Sequence, residues 1–502
     1  MTVVPRLVLS APSSGHGTGA VALGLLRAFA DRGLAVAGFK VGPDQVDAAY
    51  LGLAAGRPGR TLDPRLVGPG RVAPLFAHGA AGAGLAVVQG TMGLYDSVAG
   101  QPETESTAAV ATALRSPVVL VVDVAAMGQS VAALAHGFRA YDEQLWLGGV
   151  ILHRVASPRH EATLREALDD VGIPVYGAVR RHELASALPA RRHGVAPVVG
   201  RDADALRAVR RLGAAVAAAL DLDRLLALAR SAPPVPGEPW SPERAEPVGG
   251  PSDEPAGEPP AGGLLAGELP AGRPPVGEPP AGGPPVVVAL AGGAGGDYAP
   301  AETAELLRAA GAEVVRVDPL RDEALPAGTA ALVVGGGLPE AYAEELSANG
   351  RLRAAVAELA GAGRPVLAEG AGLLWLALEL DGLPMCGVLD AVGASREGVV
   401  VGYRTATART ASVLAPAGAT LVGYKEHRAV LTPRAGRSPA WSWDGGAPEG
   451  FVLRGVHASQ LRVHWAGYPG IAARLVAAAR AGGTPTPEAA PRAGGAAVGA
   501  GA

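Results

Sequence analysis

Short apolar runs alternate with helical patterns along the first part of the chain. Repeated alternation of strand and helix predicts a doubly wound α/β domain over residues 1–230. Stretches such as GAVALGLLRAFADRG have helical spacing and end in glycine, which commonly terminates a helix. The strand-like runs are almost continuously apolar, as in a parallel sheet that is buried on both faces: RLVLSA, VAGFKVG, LAVVQG, PVVLVVDV and LGGVILHRV.

The alternation restarts near residue 286 and predicts a second α/β domain over residues 286–480. Its helical stretches include PAETAELLRAAG and LRAAVAELAGAG. Its strand-like runs are VVVALAG, AEVVRVDP, AALVVGGG and RPVLAEGAG.

The stretch between the two domains has no periodic apolar face. Residues 231–285 repeat units such as PAGG and PPVGE, and residues 481–502 are similarly rich in Gly, Pro and Ala. Such segments cannot bury enough apolar surface to offset their chain entropy. We therefore expect a disordered linker over residues 231–285 and a disordered tail over residues 481–502.

Composition narrows the class of protein. The 502 residues are 49% hydrophobic with a formal net charge of -4, which argues against a nucleic-acid partner or a polybasic membrane surface. The most apolar stretch, SPVVLVVDVAAMG, is too short to span a bilayer, and MTVVPRLVLSAP lacks the basic region of a signal peptide. The single cysteine, Cys386, suits a reducing compartment. We expect a cytoplasmic protein.

The stretch LVLSAPSSGHGTGAVALGL, residues 7–25, reads as a strand, a glycine-rich turn and a helix. A phosphate-binding loop at such a place combines backbone N–H groups, a Lys for the phosphates and a Ser or Thr for Mg²⁺. Gly15, Gly17 and Gly19 keep the flexible backbone, whereas Thr18 and Gly19 occupy the positions of that Lys and hydroxyl. These residues alone leave open a nucleotide site or a plain strand-to-helix turn.

A family resemblance spans nearly all of both domains. FKVGPDQVDAAYL, MGLYD, PVVLVVDVAAMGQSVAALAHGF, GVILHRVASPRH and LPARRHG resemble, in order, the synthetase domain of cobyrinic or hydrogenobyrinic acid a,c-diamide synthases. DPLRDEALP, GGGLPEAYAEELSAN and GYRTAT resemble their glutamine amidotransferase domain. The resemblance implies a P-loop-type doubly wound parallel sheet followed by a flavodoxin-like α/β domain.

In that family, glutamine hydrolysis releases ammonia, and ATP with Mg²⁺ activates two carboxylates of a corrinoid, cobyrinic or hydrogenobyrinic acid. The a and c amides then form during cobalamin biosynthesis. The resemblance therefore implies ATP, Mg²⁺ and a corrinoid as ligands. It leaves open a homodimer or an association with an active synthase.

The resemblance assigns roles to residues of the first domain. Lys40, Asp44 and Asp47 match the family motif K-x-G-P-D-x-x-D, where an ammonium faces phosphate and carboxylates hold Mg²⁺ or position the substrate. The alternative interpretation, without a function, is that the same residues form a solvated charge cluster in a surface turn. Gln89 stands where the family has an acidic Mg²⁺ ligand, and His153 stands where it has an Asn near the adenine base.

The second domain departs from the family at its reactive groups. Gly370, in AEGAGLL, stands at the cysteine nucleophile, and a residue without a side chain forms no thioester. Arg462, in SQLRVHW, stands at the partner His, while the neighbouring His464 is kept. Cys386 lies in an apolar run and is expected to be a buried structural thiol.

Two hypotheses follow. The first is ATP-dependent amidation of the a and c carboxylates of a corrinoid with the glutaminase step lost, so that free ammonia would have to serve. The second is a catalytically silent paralogue that binds corrinoid or nucleotide, or that regulates an active synthase. The joint departures at Thr18, Gln89, Gly370 and Arg462 favour the second hypothesis, because the scaffold motifs persist while the reactive groups do not.

Overall fold

The computed structural model describes residues 3–98, 100–181, 183–184, 203–245, 285–293, 299–337 and 339–482. We call the part up to residue 245 the N-terminal domain and the part from residue 285 the C-terminal domain. Most of the expected linker, residues 246–284, and most of the expected tail, residues 483–502, lie outside the described residues.

The N-terminal domain is built on a parallel sheet with the order β3-β2-β4-β1-β5-β6-β7. The five predicted strands are present, and the predictions missed β3 and β7. The strands are β1 (Arg6–Ser10), β2 (Val36–Val41), β3 (Arg60–Leu62), β4 (Leu85–Gln89), β5 (Val118–Asp123), β6 (Leu147–Val155) and β7 (Val175–Arg180).

Helices cover both faces of this sheet, so its central strands are almost completely buried. They are α1 (Thr18–Asp31), α2 (Gln45–Ala55), α3 (Pro64–Val67), α4 (Val72–Gly79), α5 (Pro102–Glu105), α6 (Thr107–Ala113), α7 (Ser130–Tyr141), α8 (Pro158–Asp170), α9 (Ala203–Ala219) and α10 (Leu222–Arg230).

The C-terminal domain has a main sheet of order β19-β20-β11-β10-β8-β9, in which only β19 pairs antiparallel. Counted along the chain, its parallel strands run 2-1-3-4-5, the flavodoxin-like order. The strands are β8 (Val286–Ala291), β9 (Ala312–Val317), β10 (Thr329–Val334), β11 (Val366–Glu369), β19 (Phe451–Leu453) and β20 (Val456–Ser459).

Two smaller sheets, β13-β12-β14-β17 and β16-β15-β18, lie in the chain between β11 and β19. Their strands are β12 (Glu379–Leu380), β13 (Leu383–Pro384), β14 (Val392–Ala394), β15 (Val400–Ala408), β16 (Thr420–His427), β17 (Val430–Thr432) and β18 (Trp441–Ser442). The helices of this domain are α11 (Ala301–Ala309), α12 (Ala343–Ala348), α13 (Gly350–Gly361) and α14 (Gly470–Arg480). The predicted fold class, two α/β domains, is confirmed.

The first part of the expected linker is packed against the N-terminal domain. The N–H of Trp240 donates to the carbonyl of Pro74 at 3.0 Å, and its indole meets the His78 ring edge-on. Arg6, fully buried, donates through Nη2 to the carbonyl of Pro233 at 2.6 Å. The expectation of disorder from residue 231 is therefore wrong up to residue 245, because Trp240 and Val235 supply the apolar anchors that the repeats after them lack.

The two domains meet through a buried ionic cluster. Arg60 donates from Nη1 to Glu302 Oε1 at 2.6 Å. Its Nη1 and Nη2 atoms both donate to the carboxylate of Glu305. His78 Nε2 lies 3.0 Å from Glu305 Oε2, which extends the cluster. Apolar packing continues across the same boundary, since Val67 and Trp465 belong to one buried cluster. Among the described residues, no helix is both long enough and apolar enough to cross a membrane.

Candidate functional site

The loop between β1 and α1 lies at the carboxyl edge of the sheet, and α1 begins there. Gly15 and Gly17 have φ angles of 92° and 91°, a region that disfavours residues with a Cβ. Gly17 caps α1 without a side-chain hydrogen bond. The first N–H groups of a helix have no partner within it, so this end can hold an anion.

A cavity of about 440 Å³ lies beside this loop. It brings together eight residues that the sequence predicted as a site: Gly15, Gly17, Thr18, Gly19, Lys40, Asp44, Asp47 and Gln89. Its other lining residues, which the sequence did not predict, include Ser13, Ser14, Tyr50, Thr91 and Met92. Helical spacing could have indicated Tyr50, because it follows Asp47 by three positions and shares its face of α2.

Lys40 is the penultimate residue of β2, lines the cavity and is only 3% exposed. In the register of β2 and β4 it pairs with Gln89. Its Nζ donates to the carbonyl of Gly90 at 2.7 Å and lies 4.0 Å from Asp47 Oδ2. A buried ammonium at this place does not fit the solvated surface cluster that the sequence left open.

Gln89 is held by Asp47. The Gln89 Nε2 donates to Asp47 Oδ2 at 2.7 Å, which fixes the orientation of the amide, because the reverse orientation would oppose two oxygens. A Cβ added at Gly19 would lie 3.2 Å from the same Nε2. A side chain at position 19 would therefore point at an amide donor rather than at a carboxylate.

These residues do not fit Mg²⁺, which demands oxygen ligands in octahedral geometry. Gln89 presents N–H groups to Asp47, Gly19 has no hydroxyl, and Lys40 places a positive charge beside Asp47. Within the described part of the chain, no group of three or more His, Cys, Asp or Glu side chains could hold a metal ion.

Asp44 has a structural role at the start of α2. Its Oδ1 accepts hydrogen bonds from the N–H groups of Val46 and Asp47, at 2.9 and 3.0 Å, as a helix N-cap does. The cap positions α2 so that Asp47 and Tyr50 face the cavity.

His153 supports the loop and does not line this cavity. Its Nδ1 lies 2.8 Å from the carbonyl of His16, and a Cβ at Gly17 would come within 2.5 Å of the imidazole. Burial lowers the pKa of His153 and favours the neutral ring. A position beside an adenine base stays a prediction.

The role of His16 was not predicted from the sequence. Its Nδ1 accepts the N–H of Asp123 at 2.8 Å and joins the loop to the end of β5. Asp123 accepts from the N–H of Ala125 and from Arg154, and these contacts lower the pKa of Asp123 although burial opposes them. These bonds fix the loop from the side away from Lys40.

The C-terminal domain has a tight turn after β11, at the position where the sequence predicts a lost nucleophile. β11 ends at Glu369, and Gly370 follows with a φ of +62°. A Cβ built at Gly370 would meet nothing closer than the Cα of Gly336, at 3.4 Å. The turn therefore has room for a side chain and carries none.

Glu369 ties this turn to the segment after β20. Its carboxylate accepts from the N–H of Val463 at 3.0 Å and from Trp465 Nε1 at 2.9 Å. Burial raises the pKa of Glu369 to about 7, although these two hydrogen bonds oppose the shift.

The structure does not bring Arg462 or His464 into contact with Gly370. Arg462 Nη2 instead donates to the carbonyl of Pro43 in the N-terminal domain, at 2.7 Å. His464 is 1% exposed, and its Nε2 lies 3.9 Å from Glu302 Oε2. Cys386 is buried, and burial raises the pKa of its thiol, so it is no substitute nucleophile.

Comparison with known proteins agrees with this arrangement. Residues 7–195 match the family described as the CobQ/CobB/MinD/ParA nucleotide binding domain. Residues 298–468 match the CobB/CobQ-like glutamine amidotransferase domain.

Relatives that match almost the whole chain are named as a,c-diamide synthases. The chain is 52% identical to the hydrogenobyrinate a,c-diamide synthase of Streptomyces coelicolor, covering 95% of this chain and 97% of the relative. It is 42% identical to the Thermobifida fusca protein of that name, covering 95% and 97%. The cobyrinate a,c-diamide synthase of a Synechococcus strain is 32% identical, covering 92% and 96%. The chain belongs to the family of hydrogenobyrinate and cobyrinate a,c-diamide synthases.

Proposed function

We propose that this chain is a catalytically silent member of its family, which binds a nucleotide and a corrinoid and does not hydrolyse glutamine. The observation that carries the proposal is Gly370, at a turn that has space for a nucleophile and has none. Without a thiol no thioester forms, and loss of a nucleophile costs roughly 10⁶ in rate where a hydrolase triad has been dissected.

The nucleotide, ATP by resemblance, is assigned to the cavity beside the loop of Gly15 and Gly17. The amides at the start of α1 and the buried ammonium of Lys40 support an anionic ligand there. The absence of a fit for Mg²⁺ at Gln89 and Gly19 argues against efficient phosphoryl transfer, because the cation normally neutralises the developing charge.

The corrinoid is assigned by family membership. Relatives that match almost the whole chain are named for hydrogenobyrinate or cobyrinate. We assign nucleotide binding to residues 1–230 and the silent amidotransferase fold to residues 286–480. In cobalamin biosynthesis this chain would then act by binding small ligands, or by binding to an active synthase and regulating it.

A second candidate function is amidation of the a and c carboxylates with free ammonia. Lys40 favours it, since its ammonium remains at the nucleotide cavity together with Asp44 and Asp47. This reaction would need no nucleophile at position 370.

One set of assays separates these functions. The full-length protein is incubated with glutamine, ATP and Mg²⁺, and then with ammonium chloride, ATP, Mg²⁺ and hydrogenobyrinic or cobyrinic acid. We expect no glutamate, no ADP and no amide by mass spectrometry, together with ATP binding by calorimetry that weakens in Lys40→Ala. Glutamate release would contradict the assignment of Gly370. Amide formed from ammonia would establish the second candidate.

A further inference from the structure

The nucleotide cavity beside the β1–α1 loop offers backbone donors for a phosphate group. Gly15 and Gly17 have positive φ angles of 92° and 91°, whereas His16 between them does not. Such alternation turns successive N–H groups to one side, in a concave arrangement that binds anions. Gly17 also caps α1, whose first N–H groups have no partner within the helix. The volume of this cavity, about 440 Å³, lies in the usual range for small-molecule sites.

Gln89 supplies a further donor from the wall of this cavity. It is 5% exposed, and its Nε2 donates to Asp47 Oδ2 at 2.7 Å. An amide nitrogen carries two N–H groups, and the second one has no partner among the described residues. The same nitrogen borders the loop, since a Cβ added at Gly19 would lie 3.2 Å from it. A ligand oxygen at this place would accept the second N–H directly, with no metal ion between them.

The charges around the cavity limit the number of phosphates that it can hold. Two carboxylates, Asp44 and Asp47, and one ammonium, Lys40, are the charged side chains among its described lining residues, so their sum is negative. The ammonium is already used in part, because Lys40 Nζ donates to the carbonyl of Gly90 and lies 4.0 Å from Asp47 Oδ2. Each further phosphate therefore brings negative charge to a wall with little positive charge left to offset it.

The groups that would hold a third phosphate are replaced. Thr18 and Gly19 stand at the predicted positions of the phosphate Lys and of the Mg²⁺ hydroxyl, and Gln89 stands at that of an acidic Mg²⁺ ligand. A triphosphate normally binds with Mg²⁺, which neutralises part of its charge. Because the residues here do not fit Mg²⁺, a third phosphate would enter with no metal ion to balance it.

We propose that the nucleotide cavity selects a metal-free nucleoside diphosphate over a triphosphate with Mg²⁺, and that Gln89 determines this selectivity. The amides around Gly15 and Gly17 bind the terminal phosphate, and the second N–H of Gln89 donates to it where a metal ion would otherwise act. The inference rests on the proposed nucleotide binding and adds the number of phosphates and the absence of the metal. The chain then responds to ADP instead of consuming ATP.

The test is isothermal titration calorimetry of the full-length protein with ADP, ATP and AMP, each in EDTA and in Mg²⁺. We expect ADP in EDTA to bind at least about tenfold more tightly than ATP under either condition, because the third phosphate adds uncompensated charge. AMP should bind at least about tenfold more weakly than ADP, because it lacks the second phosphate. Added Mg²⁺ should not increase the affinity for ADP.

Gln89→Glu tests the assigned residue, because it replaces the donor with a carboxylate of similar size. In EDTA this variant should bind ADP at least about tenfold more weakly than the unmodified protein, and Mg²⁺ should restore part of the affinity. The matched control is Gln101→Glu, the same substitution at an exposed position outside the cavity, which should bind ADP like the unmodified protein. Circular dichroism verifies that both variants are folded. The comparison of nucleotides needs no variant, so it tests the selectivity whatever the stability of Gln89→Glu.

The outcomes are distinguishable. If ATP with Mg²⁺ binds as tightly as ADP, or if ADP requires Mg²⁺, the selectivity is wrong and nucleotide binding stands. If none of the three nucleotides binds, both the selectivity and the proposed nucleotide binding are overturned. If Gln89→Glu binds ADP in EDTA like the unmodified protein, or if Gln101→Glu loses as much, the assignment of Gln89 is overturned.

Discussion

Arg462 of the C-terminal domain donates a hydrogen bond from Nη2 to the carbonyl oxygen of Pro43, 2.7 Å away in the N-terminal domain. Pro43 directly precedes Asp44, whose carboxylate caps α2. Arg462, which the sequence predicts at the position of a partner His, thus contacts the turn between β2 and α2 of the other domain. This hydrogen bond is one of the contacts between the two domains, and it lies next to Asp44, which lines the cavity beside the β1–α1 loop.

We expect Arg462→Ala to loosen residues 40–50 without unfolding either domain. A hydrogen bond from a charged group contributes about 1.5–3 kcal/mol, and its loss frees the turn before α2. Hydrogen–deuterium exchange should therefore rise in peptides from this region. Arg428→Ala is the control, because Arg428 donates to the carbonyl of Glu397 within its own domain. Unchanged exchange in Arg462→Ala would show that the contact is dispensable.

Gly370→Cys should give a folded protein whose new thiol is buried. The nearest atom to the new Cβ is 3.4 Å away, and a φ of +62° costs a side chain about 1–2 kcal/mol. Gly370 and Cys386 are both buried, so iodoacetamide should label neither position in the native variant and both positions after unfolding, as read by mass spectrometry. Gly370→Ala carries the same strain without a thiol. The prediction fails if the alanine variant folds and the cysteine variant is labelled at position 370 without denaturant.

Gln89→Glu should create a binding site for a divalent cation. Two carboxylates at the distance of the present Gln89–Asp47 contact repel each other and destabilise the fold by about 1–3 kcal/mol until a cation bridges them. Mn²⁺ should therefore raise the melting temperature of this variant more than that of the unmodified protein. Gln101→Glu makes the same change on the exposed surface as a control. Equal shifts in all three proteins would refute the site.

Arg60→Met should destabilise the protein by about 3–5 kcal/mol, because Glu302 is 1% exposed and would lose its charged partner. Thermal unfolding measures the loss. Adding Glu302→Gln removes the uncompensated charge and should restore part of the stability. A double variant no more stable than Arg60→Met would contradict the assigned role of this ion pair.

The cluster around Glu305 should make stability depend on acid pH. Burial alone would raise its pKa, but hydrogen bonds and charges from His78 and Arg60 hold the pKa of Glu305 at about 2. The folded-state pKa lies below the unfolded value of about 4.3, so the contribution is present above that pH and is lost as pH falls toward 2.

Glu305→Gln should therefore flatten the decline in melting temperature from pH 5 to pH 2.5 by an amount equivalent to about 1–3 kcal/mol. Glu323→Gln, which removes an exposed partner of Arg351, should leave the decline unchanged. An identical decline in Glu305→Gln and in the unmodified protein would contradict the prediction.

Much of the scaffold was predictable because long apolar runs mark buried parallel strands. The run LAVVQG gave β4, and its register beside β2 brings Gln89 opposite Lys40. Short strands gave no such signal: β3 has three residues, and Gly177 interrupts β7. The ends of adjacent parallel strands meet at one edge, which is why the predicted residues of the first domain share a cavity.

Side-chain partners were not predictable, because they depend on rotamers and on how the domains pack. The bond from Arg462 to Pro43 joins residues separated by 419 positions. His153 matched a position near a base in the family motif, yet its ring lies against Gly17. Sequence pattern fixes which strand end a residue occupies, and packing decides what its side chain touches.

The open turn at Gly370 has a consequence for how this protein can evolve. Glycine codons GGT and GGC become cysteine codons by a single base change, and arginine codons CGT and CGC become histidine codons equally simply. A cysteine at position 370 would carry the strain of a positive φ, but its Cβ would meet no atom closer than the Cα of Gly336 at 3.4 Å. With codons of these kinds at positions 370 and 462, cysteine and histidine would each be one base change away.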